Sequence, residues 1–191
     1  MSRYAARVND VFPAVAPTTG VRGALDSIVQ SSLVDLFAAY DMAVAPSARG
    51  SVERPPSFPD ISAAVTFMRR APTSQAGRLT LSLPEAVLEL TQRGNASALR
   101  VDWARELASQ LLGRIKNRLL QFSVRLEAGT STTIDSQHLA SRLPLSPGVL
   151  VYSGRSLRGS IVVTLEGAPE ASQLVYLGPV NVASEGQAIL F

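Results

Sequence analysis

The chain has 191 residues, of which 46% are hydrophobic and 17% are charged, and its mean hydropathy is +0.17. This length and composition predict one folded globular domain with short added segments, and they exclude an intrinsically disordered chain. The absence of cysteine excludes disulfides and thiolate metal sites, and the single histidine, His138, argues against a histidine-based metal site.

The net charge of +3 does not by itself indicate an anionic partner. The basic residues are spread along the chain without a run of more than two, and aromatic residues, at 6%, do not alternate with them. The expected surface is therefore mildly basic and solvated, without a nucleic-acid interface. The first twenty residues have no continuous apolar run, and no window is apolar enough for a membrane span. We expect a cytoplasmic protein without membrane insertion.

In the first half of the chain the pattern predicts a helix followed by two strands. Residues 1–21, with two prolines and a Thr-Thr-Gly, are predicted to form a flexible arm. Residues 24–42 place their apolar side chains on one face, as an amphipathic helix does. After a proline-rich stretch, residues 61–70 predict a strand. Residues 77–84 alternate leucine with threonine or serine, which predicts a strand with one buried face.

The second half repeats this order. The predicted elements are a short helix at 85–92, a long helix at 101–120, a strand at 121–129, a hairpin at 149–167 that turns at Gly154 and Arg155, and short strands or an arm at 168–191. His138 falls in a polar loop and is predicted to be a surface residue. Helix–strand–strand followed by helix–strand–strand suggests a loose structural duplication. The predicted fold is α+β, with two long helices packed on one face of an antiparallel sheet.

The long helix has an unusual polar face opposite its apolar stripe. This face contains Glu106, Ser109, Gln110, Gly113 and Lys116. On a helical wheel all but the lysine lie within about 60° of the glutamate. A glycine inside a helix costs roughly 1 kcal/mol relative to alanine, which the close approach of another backbone would offset. Alone, such a face is also typical of ordinary solvated helix surface.

This helix resembles the signature helix of the CheC/CheX-type chemotaxis phosphatase family. The family pattern is similar to Glu-Leu-Ala-Asn-x-x-x-Gly-x-x-Lys, and the chain has Glu106-Leu107-Ala108-Ser109, then Gly113 and Lys116. The segments SIVQSSLVDLFAAYDMAV, ISAAVTF, GRLTLSLPEAVLEL and RGSIVVTLEG also resemble family elements in the same order. The resemblance covers residues 22–167 and implies a CheX-like domain there, with 168–191 as a C-terminal extension.

The resemblance implies a face that binds a phosphorylated CheY-like receiver domain. In the family, the helix glutamate contacts the receiver's active-site lysine, and the asparagine amide orients the water that attacks the aspartyl phosphate. Partner-binding residues would be Glu106, Gly113 and Lys116. Trp103, between the two faces of the helix, either packs at the core edge or contacts the partner. No cofactor would be bound by this chain, because magnesium belongs to the receiver. A homodimer through exposed strand edges is a further expectation.

Ser109 stands where the family has asparagine, and three interpretations follow. The serine disables catalysis, or Gln110 takes over in an acid-to-amide spacing similar to that of the unrelated CheZ-type phosphatase, or the Ser109 hydroxyl itself holds the water. The catalytic candidates are therefore Glu106, Ser109 and Gln110. In the first helix, Asp26 and Gln30 repeat the acid-to-amide spacing as a weak second candidate.

The function predicted is thus receiver binding, with hydrolysis of the aspartyl phosphate left open. The alternative is a catalytically inactive adaptor or scaffold of the same fold in a signalling or motility complex. A third interpretation, a small-molecule sensor or structural domain, would apply if the motif were coincidental.

Overall fold

The computed structural model describes residues 21–47, 59–71, 73–91, 100–134 and 148–180. Within these residues, three α-helices pack on a six-stranded antiparallel sheet, so the predicted α+β class is confirmed. The helices are α1 (Val21–Ala38), α2 (Glu85–Thr91) and α3 (Arg100–Leu119). The strands are β1 (Ala45–Pro46), β2 (Ile61–Ala71), β3 (Gln75–Leu83), β4 (Arg125–Ile134), β5 (Leu150–Ser156) and β6 (Gly159–Glu166).

The strands are arranged in the order β1–β5–β6–β3–β2–β4, and every neighbouring pair is antiparallel. The hairpins β2–β3 and β5–β6 therefore meet at the centre through β3 and β6. The expectation that residues 77–84 bury only one face is wrong. Thr80 and Ser82 are 1% exposed, nearly as buried as the leucines of the opposite face.

One hydrophobic core lies between the helices and the sheet. Helix α3 contributes Ala104, Leu107, Ala108, Leu111, Leu112, Ile115 and Leu119, and α1 contributes Leu25, Ile28, Val29, Leu33, Leu36 and Phe37. Both sets recur at the three- and four-residue spacing that makes one apolar face of a helix. Each large side chain buried there stabilises the fold by about 1.5–3 kcal/mol. The core therefore fixes α3 with its polar side turned away from the sheet.

Helix α1 ends at Ala38, four residues before the predicted end, because the chain turns sharply there. Asp41 has a φ of 58°, in the left-handed region. The Met42 amide donates to the Phe37 carbonyl and the Asp41 amide to the Ala38 carbonyl, both at 3.0–3.1 Å, which is the Schellman pattern of helix termination. Tyr40, just before this residue, occupies the helix C-cap.

The β5–β6 hairpin turns at Leu157 and Arg158, not at Gly154 and Arg155 as the glycine suggested. Gly154 lies within β5, where a Cβ atom would come 2.6 Å from Val44 Cγ1. The glycine thus permits close packing within a strand rather than a turn.

The predicted strand at 121–129 begins later, at Arg125, because the residues before it pair with the C-terminal segment. The Ser123 amide donates to the Val175 carbonyl at 2.9 Å, and the Leu177 amide donates to the Gln121 carbonyl at 2.8 Å. A short 3-10 helix, Ala171–Gln173, precedes this pairing, and Leu174 is buried.

The predicted arm at 1–21 lies almost wholly outside the described residues, as do His138 and residues 181–191. No helix in the described part of the chain is both long and apolar enough to cross a membrane.

Candidate functional site

The polar side of α3 is partly open to solvent. The helix places its apolar stripe against the core, so the residues about 180° away on the wheel face outward. Glu106 is exposed, whereas Ser109, Gln110, Gly113 and Lys116 are partly exposed. The structure thus brings the predicted residues together on one helical surface, which we call the α3 face: Glu106, Ser109, Gln110, Gly113 and Lys116.

Glu106 and Gln110, four residues apart on α3, are in direct contact. The Gln110 Nε2 donates to Glu106 Oε1 at 3.0 Å. On the other side of the amide, the Tyr40 hydroxyl donates to Gln110 Oε1 at 2.9 Å. Among the described residues Glu106 has no ion-pair partner. Its carboxylate is therefore held by one amide and remains available to an external cation.

Ser109 is turned back towards its own helix. Its Oγ donates to the Arg105 carbonyl four residues earlier, at 2.9 Å. This bond uses the only proton of the hydroxyl, so Oγ can still accept a hydrogen bond but cannot donate one outward. Ser109 in this rotamer therefore lacks the combined donor and acceptor that an asparagine amide would present.

Gly113 has open space in front of it. A Cβ atom built at this position would meet no described atom within 4 Å beyond the adjacent backbone of α3. In the described part of the chain no other backbone comes close enough to offset the cost of this glycine. Within the described part of the chain, the face at this position is open to an approaching molecule.

Trp103 is engaged inside the chain. Its indole Nε1 donates to the Thr91 Oγ1 of α2 at 2.9 Å, and its ring meets Tyr40 edge to face with centroids 5.5 Å apart. The ring is partly buried and packs against the core. Of the two roles expected for Trp103, the structure thus shows packing at the core edge. Contact with a partner stays a prediction.

The acid and amide of α1 are directed to other parts of the fold. Asp26 Oδ1 accepts from the Tyr152 hydroxyl at 3.0 Å, and the Gln30 amide points to the Ser47 carbonyl at 3.4 Å. Each side chain of this weak second candidate thus has a hydrogen-bonding partner on a strand or loop.

Two residues of the site region escaped the sequence analysis. Tyr40 lies on the apolar face of the first predicted helix, and Arg118 is one of the basic residues spread along the chain, so neither stands out in the sequence. Arg118 joins α3 to α1 through Asp35, Ser31 and Ser32. Both residues act across the two helices, about 70 to 87 positions apart in the chain, so no local pattern could indicate them.

The fold is similar to that of CheC-like and CheX chemotaxis proteins. A CheC-like superfamily protein from Shewanella sp. PV-4 is 13% identical with a TM-score of 0.60, covering 75% of this chain and 96% of that one. CheX from Borrelia burgdorferi, crystallised with CheY, BeF3 and magnesium, is 10% identical with a TM-score of 0.54, covering 76% and 96%. The FliM middle domain from Vibrio alginolyticus is 12% identical with a TM-score of 0.52, covering 76% and 92%. The predicted resemblance is confirmed at the level of the fold.

The other two comparisons found no match. No protein-family model matches the chain, and no curated protein matches it.

Proposed function

We propose that this chain binds a phosphorylated CheY-like receiver domain through the α3 face, in chemotaxis or two-component signalling. The observation that carries the proposal is an exposed carboxylate, Glu106, about two helical turns from Gly113, which has open space before it. The fold similarity supports it, because a CheX of the same fold crystallised in complex with CheY.

The α3 face suits such a partner chemically. The Glu106 carboxylate can pair with a lysine ammonium in the receiver's phosphorylation site and fix the docking position. Gly113 lets the partner backbone come close, and Lys116 at the edge can meet an acidic group. Magnesium would enter with the receiver, so this chain would bind no cofactor of its own.

Hydrolysis of the aspartyl phosphate is the catalytic form of this proposal, with Gln110 in the role of the missing asparagine. Water attacks phosphorus in line as the bond to the aspartyl oxygen breaks, releasing inorganic phosphate and a free carboxylate. The second lone pair of Gln110 Oε1 and the free proton of its Nε2 are available to orient that water. Glu106 would hold the receiver while Gln110 holds the water.

The second candidate is a catalytically inactive adaptor, and a specific observation favours it. The Ser109 hydroxyl is bonded to Arg105, and both ends of the Gln110 amide already have partners in the chain. The fold is also that of a FliM middle domain, so it is not restricted to proteins described as CheC or CheX. An adaptor would bind the phosphorylated receiver and leave its phosphate in place.

One experiment separates these candidates. Phosphate loss from labelled CheY-like receivers is measured with the wild-type protein and with Glu106→Ala, Gln110→Ala and Ser109→Asn. The catalytic form predicts acceleration that falls by about 10²–10³ in Gln110→Ala, as for the loss of one preorganised polar group. The adaptor predicts no acceleration by wild type and a gain in Ser109→Asn. The affinity for the same receivers is measured in parallel. An affinity that is unchanged in Glu106→Ala would refute the proposal itself.

Self-association and internal duplication extend the proposal. The order β1–β5–β6–β3–β2–β4 reads the same from either edge when β1, β2 and β3 exchange places with β4, β5 and β6, which supports a duplicated arrangement.

The outer strand β4 is ten residues long and has one unpaired edge within the described sheet. We propose that two copies pair along this edge. Proline has no backbone N–H, so a proline at a β4 position whose N–H points to the unpaired edge should remove a hydrogen bond of the dimer. Light scattering should then show a monomer instead of a dimer.

A further inference from the structure

We infer that Tyr40 is a positioning residue for the α3 face, acting through Gln110 on Glu106. The inference rests on the proposed receiver binding and adds a residue that the sequence motif does not contain. Its basis is a directed chain of two hydrogen bonds, from the Tyr40 hydroxyl to Gln110 Oε1 at 2.9 Å and from Gln110 Nε2 to Glu106 Oε1 at 3.0 Å.

The direction of this chain is set by chemistry. An ionised carboxylate only accepts hydrogen bonds, so the end of the amide that faces Glu106 has to be the NH2 group. The carbonyl end then faces Tyr40, whose hydroxyl can donate to it. In the opposite orientation, the amide oxygen would meet the carboxylate oxygen and be repelled. Tyr40 and Glu106 thus select the same orientation of Gln110.

Tyr40 is itself held in place by its backbone and by its ring. The turn after α1, with Asp41 in the left-handed conformation, fixes the backbone at the helix end. The ring meets Trp103 edge to face, and Trp103 is anchored by its bond to Thr91. Because the ring is held by packing, its hydroxyl reaches Gln110 without losing further rotational freedom on binding. The end of α1 and the start of α3 are thereby joined behind the candidate site.

The arrangement defines what the partner meets. Glu106 presents a carboxylate whose position is fixed by the amide, and Gln110 keeps one Nε2 proton that no described group accepts. A bound receiver would therefore place a cation against Glu106 and an oxygen acceptor, such as a phosphoryl oxygen, against Gln110. Loss of the Tyr40 hydroxyl would let the amide rotate and would loosen both contacts.

The test is Tyr40→Phe, which keeps the ring against Trp103 and removes only the hydroxyl. The affinity for a CheY-like receiver loaded with beryllofluoride and magnesium should fall about 3- to 10-fold, the value of one net hydrogen bond. Tyr152→Phe is the matched control, because it removes a tyrosine hydroxyl bonded to an acid, Asp26, away from the α3 face. In a Gln110→Ala background, Tyr40→Phe should change the affinity no further.

Failure of the inference and failure of the proposed function give different results. Binding that weakens in Glu106→Ala but is equal in wild type and Tyr40→Phe would overturn the inference and leave receiver binding intact. Binding unaffected by Glu106→Ala, or no binding by wild type, would overturn receiver binding and with it the role of Tyr40.

The hydrogen-bond chain can also be examined in the free protein. The two Nε2 proton resonances of Gln110 should shift in Tyr40→Phe and stay fixed in Tyr152→Phe. Unchanged resonances in Tyr40→Phe would overturn the inference whatever the receiver does.

Discussion

Replacing Gly113 is predicted to affect stability and binding in opposite directions. A Cβ atom there meets no described atom within 4 Å beyond the adjacent helix backbone, so alanine adds no clash within that part of the chain. The substitution removes the conformational freedom of a mid-helix glycine. Gly113→Ala should therefore raise the free energy of unfolding by roughly 1 kcal/mol, which for a chain of this size is an increase in Tm of about 2–4 °C.

The same position should tolerate no long side chain once a partner is bound. Gly113→Gln keeps a good helix former and a neutral charge, so the free protein should remain as stable as wild type or more so. Its affinity for a beryllofluoride-loaded receiver should nevertheless fall at least tenfold, because the side chain fills the space in front of the helix. The assays are urea unfolding followed by circular dichroism, and calorimetric titration with the receiver.

Two results would refute this reasoning. A loss of stability in Gly113→Ala would mean that the glycine packs against another part of the chain. Full affinity in Gly113→Gln would mean that the receiver does not approach α3 at this position. Lys116→Gln serves as a control at the edge of the face. It removes a positive charge without adding a larger side chain, so it should alter the salt dependence of binding.

Three further predictions concern the fold. Asp41→Gly should stabilise the chain by about 0.5–1 kcal/mol in urea unfolding, since glycine adopts the left-handed conformation more readily; a loss of stability would contradict it. Gly154→Ala should destabilise by about 1–3 kcal/mol, because its Cβ would overlap Val44; an unchanged Tm would show that β5 can shift. Arg118→Met should cost about 1–2 kcal/mol by removing the link from α3 to Asp35; stability equal to wild type would refute that link.

The helices, most strands and the polar face of α3 could be predicted because each depends on local periodicity. The apolar stripe of α3 and the alternation of β3 are visible within ten or twenty residues of sequence. Since a helical wheel relates residues three and four positions apart, the pairing of Glu106 with Gln110 could also be anticipated.

What could not be predicted depends on contacts between distant segments. Gly154 resembles a turn glycine until Val44 is known to pack against it. The end of α1 depends on the left-handed backbone of Asp41, which aspartate adopts less often than glycine. Tyr40 bonds to Gln110 seventy residues further along the chain. From the sequence, Tyr40 therefore looks like any other residue on the apolar face of its helix. Thr80 is buried although it lies on the polar side of the β3 alternation, which the local pattern could not show.

The strand order has a consequence for how the chain unfolds. The outer strand β1 pairs with β5 of the second half, and the outer strand β4 pairs with β2 of the first half. The first half of the chain (α1 to α2) and the second half (α3 to β6) thus each supply an outer strand that pairs only with a strand of the other half. A chain cut between α2 and α3 should yield fragments that fold only when mixed, and intact protein should lose its amide protection in β2 and β5 together, as one cooperative unit.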